Sequence, residues 1–327
     1  MMANLSRLSG RNLLVIGRAG MDLYPDPPGT RTEDAARFVS HLGGSSANIA
    51  VALAKLGCRA SLVTCVSDDA IGRFCLNELD RYGVDRRHIR SVGGEARNSL
   101  AVVETRVIDH QSVIYRNGAA DFAMTVADVE ALDYAAYSAL ITTGTVLAAE
   151  PSRSAAFRAF DLARAAGLPL IFDIDYRPYT WPSATVAAEA FSRAAALCDV
   201  IVGNDLEFGF MAGDPVRGLG KARALVAGGA QIAVYKMGEQ GAVTITAECE
   251  FTTGIYRNKA LKPTGAGDSF LGALVAALAA GLPLRAAVLR GSAAAAMVVA
   301  RVGCAPAMPT TAELDTFLAD HSGPTAA

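Results

Sequence analysis

Short apolar or β-branched runs recur along this chain with Ala-rich, helix-periodic stretches between them, and few folds accommodate that rhythm. Residues 13–17, 60–66, 139–143, 169–173, 200–203 and 231–236 are continuous apolar runs of strand length, as expected of strands buried on both faces. Between them, residues 47–56, 71–82, 153–166, 186–197 and 218–227 place apolar side chains three and four apart, which suits crossover helices covering a sheet. The alternation predicts an α/β fold, a parallel sheet with helices on both sides. With 327 residues, 52% hydrophobic and only 19% charged, the chain can bury a substantial core. No repeat and no Pro-, Ser- or charge-rich linker divides it, so residues 1–327 are expected to form one domain.

One stretch departs from the pattern. Residues 99–106 and 111–116 flank a short turn at 108–110 and read as an antiparallel hairpin, either a lid near the ligand-binding edge of the sheet or an ordinary edge hairpin.

Charge and cysteine usage narrow the partners. Thirty basic residues against 32 acidic ones leave a net charge of −2, without the electrostatic footprint that draws a protein to nucleic acid or to an anionic membrane. The expected partner is a small molecule. The six cysteines show neither CxxC pairs nor zinc-type spacing with histidine and read as reduced core thiols. Residues 1–12 lack the apolar core of a secretion signal, and the longest uncharged apolar run, 269–284, contains Gly272, Gly281 and Pro283. A cytoplasmic location is expected.

The strongest chemical signal is TGAGDSFLGAL at 264–274, a glycine-rich turn running straight into an apolar helix. Gly265, Ala266 and Gly267 can offer unpaired backbone N–H groups to an anion, with Asp268 beside them in the first helical turn. For phosphoryl transfer, those amides would hold the developing charge while Asp268 accepts the proton of the attacking hydroxyl. Aspartate in that position is also a common cap, so the pattern alone leaves both roles open. Neither GxxxxGK[ST] nor a strand followed by GxGxxG is present, which argues against a P-loop and against a nicotinamide enzyme. A second glycine segment, GGSSAN at 43–48, opens another amphipathic helix. There Gly44 permits close backbone approach, and Asn48 can both donate to and accept from a polyol, as can the carboxylate of Asp22 by accepting. Turn and cap roles would explain each of these residues equally well.

Taken in order, Gly17 to Asp22, GGSSAN and GAGD resemble the PfkB (ribokinase-like) family of carbohydrate kinases over essentially the whole chain. The resemblance implies a three-layer α/β/α sandwich with a mostly parallel sheet and a small β lid drawn from about 18–40 and 97–122. It also implies ATP and Mg²⁺ as cofactors, and a homodimer. Asn204 and Glu207 match the family's NxxE element, acting at Mg²⁺ and phosphates through water, while Lys236, Gly238 and Gly241 match the turn that approaches the nucleotide. Within the family, Asp173-Ile-Asp-Tyr-Arg-Pro178 followed by Trp181 is similar to kinases of keto-deoxy sugar acids, and more closely to 5-dehydro-2-deoxygluconate kinases of inositol breakdown. Tyr115-Arg116-Asn117, Ala120-Asp121, the 66–69 segment and the 304–309 segment add to that likeness. Arg177 and Arg116 are the expected partners of an anionic substrate, unless each serves as a structural ion-pair partner. Sugar and sugar-acid alternatives are 2-keto-3-deoxygluconate, fructose or a nucleoside; a catalytically silent sugar-binding regulator would belong to another class. One departure stands out: Lys262 occupies the place of an aspartate that in ribokinases helps bind a monovalent cation, which puts potassium activation in doubt.

Overall fold

A computed structural model describes residues 5–321 and 323–324. Among the described residues thirteen strands form two sheets. In chain order these strands are β1 (Asn12–Ile16), β2 (Gly20–Pro25), β3 (Phe38–Gly43), β4 (Arg59–Ser67), β5 (Asp85–Val92), β6 (Ser99–Val103), β7 (Ser112–Tyr115), β8 (Ala139–Thr143), β9 (Leu170–Asp173), β10 (Val200–Asn204), β11 (Ile232–Lys236), β12 (Ala242–Ile245) and β13 (Glu250–Thr253). The large sheet runs β13-β12-β11-β10-β9-β8-β1-β4-β5; the small one runs β3-β2-β6-β7.

From β11 through β10, β9, β8, β1 and β4 to β5 every neighbouring pair is parallel, and only the β11–β12 and β12–β13 pairs are antiparallel. The runs read as buried strands all lie in this parallel region. In β1 the side chains alternate between two cores. Leu13 and Val15 join Ile49, Leu53, Leu271 and Val288 on one face, whereas Leu14 and Ile16 join Phe160, Phe172, Phe191 and Phe208 on the other. A strand buried on both sides needs apolar residues at every position, which is why no polar alternation was visible there.

Helices α1 (Ser45–Lys55), α2 (Ala70–Arg81), α3 (Val126–Glu130), α4 (Ser152–Ala165), α5 (Ala184–Ala195), α6 (Asp205–Ala212), α7 (Gly218–Ala227), α8 (Ala266–Ala279), α9 (Leu284–Val299) and α10 (Thr311–Asp320) cover the large sheet. Their starts carry local signals. Asp69 accepts from the backbone N–H of Ile71 and Gly72 to cap α2, and Asn204 and Glu207 form a reciprocal capping box on α6. Among the described residues no helix is long and apolar enough to cross a membrane.

The small sheet is spliced from two places. β2 and β3 leave the chain after β1, and β6 and β7 leave it after β5; β2 and β6 then pair in parallel and join the two insertions. The expected hairpin is present, with Leu100 opposite Tyr115 and strands shorter than the sequence suggested. The cysteines are all free, but Cys249 is exposed, so the expectation of six core thiols holds for five.

Candidate active site

The carboxyl ends of β1, β9, β10 and β11 open onto a cleft of about 1220 Å³, closed on another side by residues of the small sheet. That exceeds the usual volume of a single small-ligand pocket and leaves room for two substrates.

Three backbone features shape its floor. Gly265 caps α8 at φ +86°, where a Cβ would sit 2.9 Å from the Cys304 sulfur, so only glycine fits the turn. The free N–H groups of Ala266 and Gly267 follow at the start of a fourteen-residue helix. On α1, Gly44 has φ +95° and lies against the Arg18 carbonyl.

Asp268 and Asn48 meet across these two helices, Asn48 Nδ2 donating to Asp268 Oδ2 at 2.8 Å. The approach is set one turn further along each helix, where a Cβ on Gly272 would fall 2.5 Å from the Ala52 Cβ. Burial, and then the Asp175 carboxylate, push Asp268 up to about 7 against the opposing donation from Asn48 and the Arg177 and Arg18 charges. A carboxylate poised near neutrality beside a helix N-terminus can take a proton from a hydroxyl while backbone amides receive an anion.

Around it stand further buried carboxylates. Burial holds Asp173 well above the ordinary range, reinforced by Glu207, Asp175 and Asp268 and opposed by Lys236. Glu207 is likewise raised by burial; its oxygens accept from the backbone N–H of Asn204 at 2.7 Å and Tyr176 at 3.2 Å. Asp175 sits at φ +40°, unusual for a residue with a side chain. Burial pushes its carboxyl up, but Arg177 above all holds it below the usual value, with Nη2 2.8 Å from Oδ1. Asp22, on β2, is raised by burial and receives the Tyr24 hydroxyl at 3.3 Å; a Cβ on Gly43 would collide with its carboxylate.

Lysines approach from two sides. Lys236, at the end of β11, has Nζ 3.4 Å from where a Gly267 Cβ would be. Lys262 is fully buried, and its Nζ donates to the carbonyls of Thr264 at 2.5 Å and Val298 at 3.4 Å; burial lowers its pKa. Gly238 and Gly241 form the turn after β11, and a Cβ on Gly241 would strike the Thr253 carbonyl.

The expected residues Asp22, Gly44, Asn48, Arg177, Asn204, Glu207, Lys236, Gly238, Gly241 and 265–268 all line the cleft. Arg116 does not. Its guanidinium binds the Asp121 carboxylate and donates to the Thr145 carbonyl at 2.9 Å, with the Phe122 ring 4.1 Å from its carbon, so its side chain is tied to its own segment and to the turn after β8. Of the two roles the sequence left open for Arg116, these contacts fit the structural ion pair. Arg18, Asp173 and Asp175 also line the cleft and were not singled out; the two aspartates were visible as a D-x-D at a strand end, and Arg18 only as the residue after Gly17.

The family model described as pfkB family carbohydrate kinase matches residues 11–311. A 5-dehydro-2-deoxygluconokinase of Photobacterium profundum is 36% identical over 312 residues, 93% of this chain and 94% of the relative. The crystal structure of an aminoimidazole riboside kinase from Salmonella enterica, complexed with the riboside and an ATP analog, superposes with a TM-score of 0.79 at 26% identity, covering 94% of this chain and all of that one. A fructokinase from Vibrio cholerae with fructose, ADP and calcium bound gives 0.82 at 25% identity over 94% and 99%. Its sequence motifs, ribokinase-like fold and cleft thus agree, and the chain belongs to the pfkB family of carbohydrate kinases, enzymes of ATP-dependent sugar phosphorylation.

Proposed function

We propose that this kinase transfers the γ-phosphoryl group of ATP to a hydroxyl of 5-dehydro-2-deoxygluconate, the substrate named for its Photobacterium relative, as a step of inositol breakdown. The observation that carries the reading is Asp268: a carboxylate held near pKa 7 at the N-terminus of α8, inside a cleft with room for two ligands.

Asp268 is the base. It removes the proton of the attacking hydroxyl, and Asn48 keeps the carboxylate turned toward the sugar. The amides of Gly265, Ala266 and Gly267 form the anion hole, with the Lys236 charge beside them. Asp22 accepts sugar hydroxyls, and Gly44 lets the backbone approach them. Gly238 and Gly241 add no side chain of their own to the nucleotide side.

Magnesium-bound ATP supplies the phosphoryl group and neutralises its charge. The side chains suit a hydrated ion. Among the described residues no cluster of three or more His, Cys, Asp or Glu forms a cage, and Mg²⁺ ordinarily keeps several waters while using one or two carboxylates. Asn204 Oδ1 and the Glu207 oxygens already accept backbone N–H groups, so they would reach the ion through water. The raised Asp173 and Glu207 carboxyls mark a wall that a cation would relieve.

The small sheet acts as the lid over the sugar, within one kinase domain. Its support is the hairpin turn, where His110 lies 3.4 Å from the Thr264 hydroxyl, beside the anion hole. ATP dependence and free thiols fit a cytoplasmic enzyme. The test is ADP release with Mg²⁺-ATP and a panel of 5-dehydro-2-deoxygluconate, 2-keto-3-deoxygluconate, fructose and nucleosides. The reading expects the first acid to give the highest kcat/KM; preference for a neutral sugar would overturn the substrate.

A further inference from the structure

Three arginines stand at or near the sugar side of the cleft, and their charges are balanced differently. Arg116 is matched by Asp121, and Arg177 by Asp175. Arg18 is matched by nothing. It follows β1, is only 7% exposed and lines the cleft, yet among the described residues it forms no ion pair. Its one side-chain hydrogen bond runs from Nη1 to the Ser99 hydroxyl on β6 at 3.1 Å. Nε is buried with no acceptor at all.

A buried guanidinium without a carboxylate is costly, because the interior replaces its water with too little. Its charge does act on Asp22, Asp175 and Asp268, in each case opposing the upward push of burial. None of the three reaches it. The fork is therefore held by Ser99 through Nη1 alone, and Nη2, left without a partner among the described residues on a side chain that lines the cleft, suits a planar anion that arrives with the ligand.

We propose that Arg18 is the specificity-determining residue that binds the carboxylate of the sugar-acid substrate. The assignment rests on the acidic-sugar reading above and moves the anion contact away from Arg116 and Arg177. Binding the acid would complete an ion pair that the free protein lacks, whereas a neutral ketose would leave it open.

The test compares 5-dehydro-2-deoxygluconate with its carboxamide in the wild type and in Arg18→Gln, with Arg18→Lys as a second variant should the first not fold. Arg18→Gln is expected to raise KM for the acid about ten- to a hundredfold, to change KM for the carboxamide by less than about threefold, and to spare KM for ATP. Arg18→Lys, which keeps the charge without the fork, should fall between. Calorimetry of the acid without nucleotide should show the same loss of affinity. A wild type that takes the acid while neither variant changes its KM overturns this assignment alone. Equal losses of kcat on acid and carboxamide also overturn it, by placing Arg18 at the phosphoryl group. A wild type that phosphorylates neutral ketoses and no acid overturns the substrate reading, and this assignment with it.

Discussion

A carboxylate with a pKa near 7 is half protonated at neutral pH, and Asp268 is active as a base only in its charged form. As pH falls through about 7 the fraction of free enzyme able to accept a proton falls with it, so kcat/KM should drop about tenfold per unit on the acid side. A profile flat down to pH 5 would contradict the assignment. Asp268→Asn should lower kcat by about 10² to 10⁴ while ATP still binds, checked by steady-state turnover alongside nucleotide titration. Lys262 supports a second expectation. Its ammonium already occupies the Thr264 and Val298 carbonyls, oxygen ligands of the kind a monovalent ion would use. Turnover in Na⁺, K⁺ and tetramethylammonium buffers of equal ionic strength should therefore agree, and a severalfold rise specific to K⁺ would refute it. Most of these side chains were legible in the sequence because glycine-rich turns mark where backbone meets ligand. Arg177 was legible too, but Arg18 and the side-chain commitment of Arg116 were not, since which arginine finds a carboxylate depends on neighbours such as Asp121 and Asp175 that only packing brings close.

At the level of elements, catalytic geometry depends on how closely α1 and α8 approach. Gly272 and Ala52 sit one turn beyond Asp268 and Asn48, so a larger residue there must part the helices. Gly272→Val should lower kcat more than tenfold and cost about 1–3 kcal/mol in stability, measured by turnover and by urea unfolding. Intact activity would mean that Asn48 need not touch Asp268. The buried strands were plain in the sequence: β8 was expected at 139–143, the bounds observed, as α7 was at 218–227. β5, with the sequence DRRHIRSV, was missed because an exposed edge strand carries charge instead of an apolar run. β12 and β13 were missed because four-residue strands that pair antiparallel with their neighbours leave too short a pattern to read.

For the molecule as a whole, the edge strands of the small sheet remain to be accounted for. Phe38 and Val39 on β3 and Val113 and Tyr115 on β7 are 41–62% exposed, apolar surface that a monomer has little reason to show. A homodimer formed through this sheet is expected. Light scattering should give twice the chain mass, and Val113→Asp should shift it toward the monomer; a wild type that stays monomeric at high concentration would rule the dimer out. The same sheet bears on the order in which the molecule assembles. β2 and β6 come from segments separated by β3, α1, β4, α2 and β5, and they can pair only after that intervening chain has been laid down and its loop closed. The large sheet and the head of α8 ask for longer closures still, since Leu13 on β1 pairs with Ala139 on β8 and Asn48 meets Asp268 from the far end of the chain. The wall that receives the sugar and the floor that receives phosphate thus both wait on pairing between distant segments, and a half-folded chain has a complete place for neither. Competence to phosphorylate then arrives with these long-range pairings together rather than with the first local helices.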